Sequence, residues 1–219
     1  MEHTRIKICG IKEREHAQAA VDAGADAIGL VFVEKSPRSV TIKQAQTVAE
    51  SLPDSVVSVG LFVDEPGQTM RQIMQSAGLD VAQLHGHESI DDLDDLIGYP
   101  AWKALPFDEH FQRLASTWDH DPRVEALLVD TPPTGELTGG SGITFDWSGL
   151  AAVKEHLAKP VILAGGLTPD NVGQAIKTVR PYAVDVSSGV ESSRGVKDVG
   201  LIRAFCEAVR AADDTITAL

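Results

Sequence analysis

Cysteine is scarce in this sequence of 219 residues, with Cys9 and Cys206 the only two. Two thiols so far apart make no disulfide framework and point to a reduced, cytoplasmic setting. No Cys-x-x-Cys occurs, which removes the common redox and zinc spacings. No uninterrupted apolar run reaches the roughly 18 residues a membrane span requires. The opening Met1-Glu2-His3-Thr4-Arg5 has no signal-peptide pattern and leads straight into a strand-like run, which again favours the cytoplasm. Basic residues are few: 19 Lys and Arg stand against 32 Asp and Glu, for a net charge of −13. No Lys/Arg cluster marks a nucleic-acid face. The acidity serves solubility and does not exclude an anionic ligand, because local donors set the field within a site.

Short apolar runs alternate with longer amphipathic stretches. Strands are expected at Ile6-Cys9, Ala27-Phe32, Val56-Phe62, Val81-Leu84, Ala101-Leu105, Ala126-Val129, Val161-Leu163 and Ala183-Val186. Each leaves room for a helix after it, which indicates parallel βαβ units. Eight such units in one chain of this length predict an α/β fold, a (β/α)8 TIM barrel with residues 1–219 as a single domain. Met70, Ile73, Met74 and Ala77 recur at helical spacing and Gly78 closes that helix. Val172, Ala175, Ile176 and Val179 do the same, with Thr168 expected as N-cap and Pro169 in the first turn. Leu201, Ile202, Phe205 and Val209 form the buried stripe of the last helix, and Cys206 on that face is an inert core residue. The acidic run Asp91-Asp92-Leu93-Asp94-Asp95 is expected as a solvated helix face. Thr131 to Phe145, rich in Gly and Pro, is expected as a working loop over the barrel mouth.

Two glycine-rich stretches follow the last two strands: Leu163-Ala164-Gly165-Gly166-Leu167, and Asp185-Val186-Ser187-Ser188-Gly189-Val190-Glu191. Glycine lets backbone N–H groups approach a ligand closely, and free N–H groups at strand ends bind anions. Loops after consecutive late barrel strands combine into one phosphate site. Gly165, Gly166, Ser187, Ser188 and Gly189 are therefore expected to hold the phosphate of a small metabolite. Chemistry in a barrel sits at the C-terminal strand ends. Cys9 ends the first strand beside Gly10, where a thiolate could take a proton or act as nucleophile. Asp130 ends the sixth, where a buried carboxyl with no cation close by would hold a proton to donate. Arg38 follows a Ser-Pro turn, and its planar fork suits a carboxylate. His85 and His87 lack a third metal ligand at suitable spacing, so His85 is expected to pack or to act through another residue.

Together these residues resemble phosphoribosylanthranilate isomerase, the tryptophan-pathway family. The marks, in order, are Lys7-Ile8-Cys9-Gly10-Ile11, Ala23-Gly24-Ala25-Asp26-Ala27-Ile28-Gly29, Ser36-Pro37-Arg38, Gln83-Leu84-His85-Gly86 and Val129-Asp130-Thr131. Then follow Gly139-Gly140-Ser141-Gly142, Phe145-Asp146-Trp147 and the two late glycine loops. The resemblance implies a cofactor-free and metal-free Amadori rearrangement of N-(5-phosphoribosyl)anthranilate to 1-(2-carboxyphenylamino)-1-deoxyribulose 5-phosphate. It implies Cys9 as general base, Asp130 as general acid and Arg38 as partner of the anthranilate carboxylate. The ligand is a small phosphorylated substrate and the protein a monomer or homodimer. Asp64 stands where many relatives would carry asparagine, and Ser141 where threonine is frequent. The related isomerase of histidine biosynthesis would use an aspartate in place of Cys9. Thiamine phosphate synthases and pentose-phosphate epimerases would lack the Cys9 and Arg38 combination. A sugar-phosphate-binding module without catalysis would have no need of both Cys9 and Asp130.

Overall fold

The computed structural model describes residues 3–132 and 144–217. Eight parallel strands close into a barrel: β1 (Arg5–Cys9), β2 (Ala27–Val31), β3 (Val57–Phe62), β4 (Val81–Leu84), β5 (Ala101–Pro106), β6 (Val124–Asp130), β7 (Val161–Leu163) and β8 (Ala183–Val186). All eight expected strands are present, with bounds within two residues of the apolar runs. Around them lie α1 (Arg14–Asp22), α2 (Ile42–Ala49), α3 (Gly67–Ala77), α4 (Phe111–Trp118), α5 (Trp147–Lys154), α6 (Val172–Val179) and α7 (Val199–Thr217). A hairpin of β9 (Glu191–Ser193) and β10 (Val196–Lys197) stands between β8 and α7.

Alternation along each strand divides the apolar residues into two populations. Ile6, Ile8, Ile28, Leu30, Leu84, Leu127 and Val129 face the helices and join the main core. There Met70, Met74 and Ala77 bury the face of α3, and Gly78 ends that helix at φ 67°, as expected. Cys206 lies buried with Ile202, Phe205 and Val209 on α7, and burial lifts its thiol to about 11. The barrel interior holds separate apolar clusters: Ala27, Val59 and Val81; Cys9, Val31 and Leu61; and Ala104, Ala126, Leu128, Ile162, Ala164 and Ala183. Lys7, Gln83 and Asp185 are buried with them, whereas Lys103 turns outward, its Nζ over the Trp118 ring of α4.

One local expectation is corrected and another refined. Thr168 does not cap α6: its N–H donates to Asn171 Oδ1 at 2.8 Å, a turn intervenes, and Asn171 occupies the N-cap position before Val172. The short side chain of Asn171 captures Thr168 locally, which competes with starting the helix there. The acidic run is helical as expected, as a 3-10 helix (Ile90–Asp95) with Asp91, Asp94 and Asp95 exposed. Its carboxylates are engaged as well as solvated. Asp92 accepts from Ser89 N–H at 2.7 Å, Asp94 pairs with Arg123, and Leu93 is buried beneath them.

The barrel closes between β1 and β8, whose register sets Lys7 beside Asp185. Below that seam Thr4 donates its N–H and its hydroxyl to Asp213 on α7, at 2.9 and 2.6 Å. Arg210, one turn earlier, donates to the Thr4 carbonyl at 2.6 Å. The first strand is thus locked to the last helix as well as to the last strand.

Candidate active site

A pocket opens at the C-terminal end of the barrel, lined by Cys9, Arg38, His85, Asp130, Asp185 and Ser187 among apolar neighbours from β2 and β3. Strand parity explains the first of these. Lys7 and Cys9 are two apart on β1 and share the inward face, while Ile6 and Ile8 face the helices. Cys9 is 4% exposed and free of any disulfide. Burial pushes its thiol above the ordinary range; Lys7 and Lys197 oppose that shift and Asp185 adds to it.

Lys7 is itself 1% exposed, and its Nζ donates to Asp185 Oδ1 at 2.8 Å. Burial alone would lower its titration, but the Asp185 and Cys9 charges outweigh it and raise the ammonium above its usual value. Gly29 of β2 stands opposite Cys9 in the ladder. A Cβ there would lie 2.8 Å from Cys9 Sγ and 3.1 Å from Lys7 Nζ, so the thiol and the ammonium border the same small space.

Asp130 closes β6 and is 9% exposed. Its Oδ1 accepts from Thr131 N–H at 2.7 Å, and its Oδ2 lies 3.3 Å from His85 Nε2. The carboxyl is therefore not alone at the strand end: an imidazole shares its environment. Gln83 Nε2 stands 3.1 Å from His85 Nδ1. With the amide in this orientation it donates to Nδ1, and a neutral His85 carries its proton on Nε2, facing Asp130. His85 faces Asp130, and His87 turns away to Asp64, its backbone N–H donating to Asp64 Oδ1 at 2.5 Å. The two histidines thus diverge, and no cluster suited to a metal ion occurs among the described residues. Asp64 has φ 52°, a left-handed conformation that Asn and Asp tolerate better than other residues. That conformation accounts for either side chain at the position.

Arg38 lines the pocket, but it is already held. Its Nε and Nη2 donate to the two oxygens of Glu191 at 2.7 and 2.9 Å, leaving Nη1 without a partner among the described residues. Glu191 also accepts from Lys197 Nζ at 2.8 Å and from Gly195 N–H at 3.0 Å. Burial pushes the Glu191 carboxyl up, but the hydrogen bonds from Arg38, Lys197 and Gly195 outweigh it and hold it at about 2. Lys197 donates onward to the Ser187 carbonyl at 2.8 Å, and burial lowers its own titration. Neither Glu191 nor Lys197 was anticipated in these roles. They tie the arginine to the loop after β8 across a gap of 153 residues.

The two glycine loops meet beside this network. Gly165 and Gly166 have φ 82° and 62°, which favours glycine at both. Their N–H groups donate to no protein acceptor among the described residues. Asn171 Nδ2 fixes the Gly166 carbonyl at 2.9 Å and so steadies the loop, a contribution missed from sequence. Ser187, Ser188 and Gly189 follow β8, and a Cβ on Gly189 would collide with the Leu167 carbonyl. Gly189 thus lets the loops touch. Gly139 to Gly142, with Ser141, and most of the expected mouth loop lie outside the described residues.

Residues 6–208 match the family described as N-(5'phosphoribosyl)anthranilate (PRA) isomerase. The chain belongs to this family. An N-(5'-phosphoribosyl)anthranilate isomerase of Pseudomonas aeruginosa is 48% identical over 215 residues, covering 96% of this chain and 97% of its own. Phosphoribosyl anthranilate isomerase from Thermotoga maritima superposes with a TM-score of 0.86 at 37% identity, covering 95% and 99% of the two chains. Another structure of the isomerase, in complex with reduced 1-(o-carboxyphenylamino)-1-deoxyribulose 5-phosphate, gives 0.83 at 34%, with the same coverage. As a phosphoribosylanthranilate isomerase, the protein is a (β/α)8 barrel catalysing an aldose–ketose rearrangement in tryptophan biosynthesis. No helix among its described residues is long and apolar enough to cross a membrane.

Proposed function

We propose that this isomerase runs its Amadori rearrangement with Cys9 as general base and Asp130 as general acid, without cofactor or metal. The observation that carries this reading is the convergence of Cys9, Arg38, His85, Asp130 and Ser187 on one pocket from separate strands and loops. Asp130 delivers a proton to the furanose ring oxygen, the C1–O bond breaks, and the anthranilate nitrogen supplies the electrons to form an iminium. Asp130 Oδ1 accepts from Thr131 N–H, and Oδ2, 3.3 Å from His85 Nε2, is the oxygen that carries the proton to the substrate. The iminium acidifies the C2 proton, which Cys9 removes, and the resulting enolamine tautomerises to the aminoketone. The imine forms within the substrate itself, so no lysine is needed to make one.

Arg38 Nη1, the corner that Glu191 leaves open, receives the anthranilate carboxylate. Backbone N–H groups of Gly165, Gly166, Ser188 and Gly189, with the Ser187 hydroxyl, receive the phosphate. The chain works as a single barrel domain, as a monomer or homodimer, in the cytoplasm, with a small phosphorylated substrate and no nucleic-acid or membrane partner.

The test follows anthranilate fluorescence while purified protein consumes N-(5-phosphoribosyl)anthranilate. Loss of a general acid or base typically lowers a rate by about 10²–10⁴. Cys9→Ser and Asp130→Asn are each expected to fall in that range with the fold intact. A serine variant with wild-type kcat under rate-limiting chemistry removes Cys9 from the mechanism.

A further inference from the structure

The interior of a (β/α)8 barrel is ordinarily filled by branched apolar side chains, and much of this one follows that rule. Ala27, Val59 and Val81 form one apolar cluster, and Cys9, Val31 and Leu61 another. The same interior holds the Lys7–Asp185 ion pair, with side chains 1% and 9% exposed. Such a pair is a poor means of holding a barrel together. Desolvating two charges costs several kcal/mol per ion, and well-packed apolar replacements are often as stable or more so. Its position is the informative feature. Lys7 lies two residues before Cys9 on the same face of β1, and both border the space kept open by Gly29.

We propose that Lys7 is a positioning residue for the base: its buried ammonium, drawn partly aside by Asp185, is the counter-charge that lets Cys9 stand as a thiolate. The inference rests on the assignment of Cys9 as base but is read out independently of turnover. The other charges around the thiol do not supply this role equally. Lys197 approaches from β10 and Arg38 from the loop after β2, but both are bonded to Glu191. His85 and Asp130 face Cys9 across the pocket and are engaged with each other. Asp185 comes from β8 on the same side as Lys7 and competes with Cys9 for it. An ammonium shared between a carboxylate and a thiol gives a base that is available without being permanently ionised. The proton released when Cys9 ionises passes to solvent.

The experiment titrates Cys9 in a Cys206→Ser background, which removes the only other thiol. Thiolate absorbance near 240 nm and the rate of iodoacetamide alkylation are followed against pH. An opposite charge within a few ångströms shifts a titration by about 1–3 pH units. Asp185→Asn frees Lys7 for the thiol and is expected to lower the Cys9 midpoint by about one pH unit. The double variant Lys7→Met with Asp185→Asn removes the ammonium without stranding a carboxylate, and is expected to raise the midpoint by at least about one unit. Its kcat/KM on the neutral side should fall by the matching factor, about tenfold per unit, and Lys7→Arg should recover part of the loss.

A folded double variant with an unmoved midpoint overturns the proposal, even if activity falls, because Lys7 is then structural. Should the double variant not fold, Asp185→Asn decides alone: a lower midpoint supports the proposal, and an unchanged or higher one overturns it. The titration is also separable from the assignment of the base. Midpoint shifts as expected together with a fully active Cys9→Ser would uphold the counter-charge and dismiss Cys9 from catalysis.

Discussion

Glu191 grips Arg38 through two hydrogen bonds, Nε to Oε1 at 2.7 Å and Nη2 to Oε2 at 2.9 Å, while a third donor, Lys197, closes on Oε1 at 2.8 Å. The arginine proposed for the substrate carboxylate is therefore oriented before substrate arrives. A fork already half-used loses little freedom on binding, and that preorganisation is where affinity is gained.

The first prediction concerns acid stability. Glu191 is held at about 2 against an ordinary 4.5, and its side chain is 4% exposed. A depressed carboxyl stabilises the fold at pH values above its unfolded titration. That contribution, about 3 kcal/mol, is lost as pH falls from about 4.5 through about 2. Glu191→Gln should be less stable than wild type at pH 7, with the gap closing toward pH 2–3. Urea unfolding at both ends measures it; parallel pH dependence in the two proteins contradicts the prediction.

Arg38→Ala should weaken substrate about tenfold or more, the usual loss for a charge-assisted hydrogen bond. A substrate analogue without the anthranilate carboxylate should bind both proteins alike. Arg38→Lys should do little better than alanine, because a single ammonium cannot both hold Glu191 through two bonds and present a third donor. Equal losses for both ligands would place Arg38 elsewhere in the reaction.

The pH profile should carry both groups. Burial raises the Cys9 thiol above its ordinary value, and the rate needs Cys9 without its proton while Asp130 holds one. Wild-type kcat/KM is therefore expected to pass through a maximum with pH. Asp130→Asn should bind substrate nearly normally, lose one limb of the profile and turn over at least about 10²-fold more slowly in single-turnover kinetics. An asparagine variant that keeps its rate, or that loses binding and rate in proportion, would contradict the assignment.

Gly189→Ala tests the joint between the two loops proposed for the phosphate. A Cβ there meets the Leu167 carbonyl before it meets any ligand. Overpacking of this kind costs about 1–3 kcal/mol. The variant should show a lower unfolding midpoint together with a raised KM and weaker inhibition by sulfate. An alanine variant with unchanged stability and unchanged sulfate inhibition would show that the loops can separate without consequence.

The barrel was legible because each strand is an apolar run with a helix-length interval after it, and that pattern survives without knowledge of partners. Cys9, Asp130 and the glycine loops were legible for a similar reason: each sits at a strand end, and strand ends carry barrel chemistry. What the sequence hid lay in long-range pairing. Nothing near Arg38 indicates Glu191, and nothing near Glu191 separates it from the many exposed acids of an acidic chain. Lys7 left a usable sign, a charged residue at the same parity as Cys9 in Ile6-Lys7-Ile8-Cys9, where an apolar side chain would be ordinary. The start of α6 was misplaced because Thr168-Pro169 has the chemistry of a helix start, yet Asn171 uses both ends of its amide to hold Thr168 N–H and the Gly166 carbonyl.

The seam between β1 and β8 carries a consequence for how activity appears during refolding. Its strands bring together residues 178 positions apart at Lys7 and Asp185. Joining chain ends across that length costs about 4–5 kcal/mol of loop entropy, scaling as (3/2)RT ln n. Contacts of such separation form late and slowly. The environment of Cys9, the thiol proposed as base, is assembled from the two sides of this last closure. A chain with all eight strands formed and the seam still open would have most of its secondary structure but an incomplete environment for Cys9. Recovered turnover is thus a reporter of ring closure, lagging behind circular dichroism by the time that final joining takes.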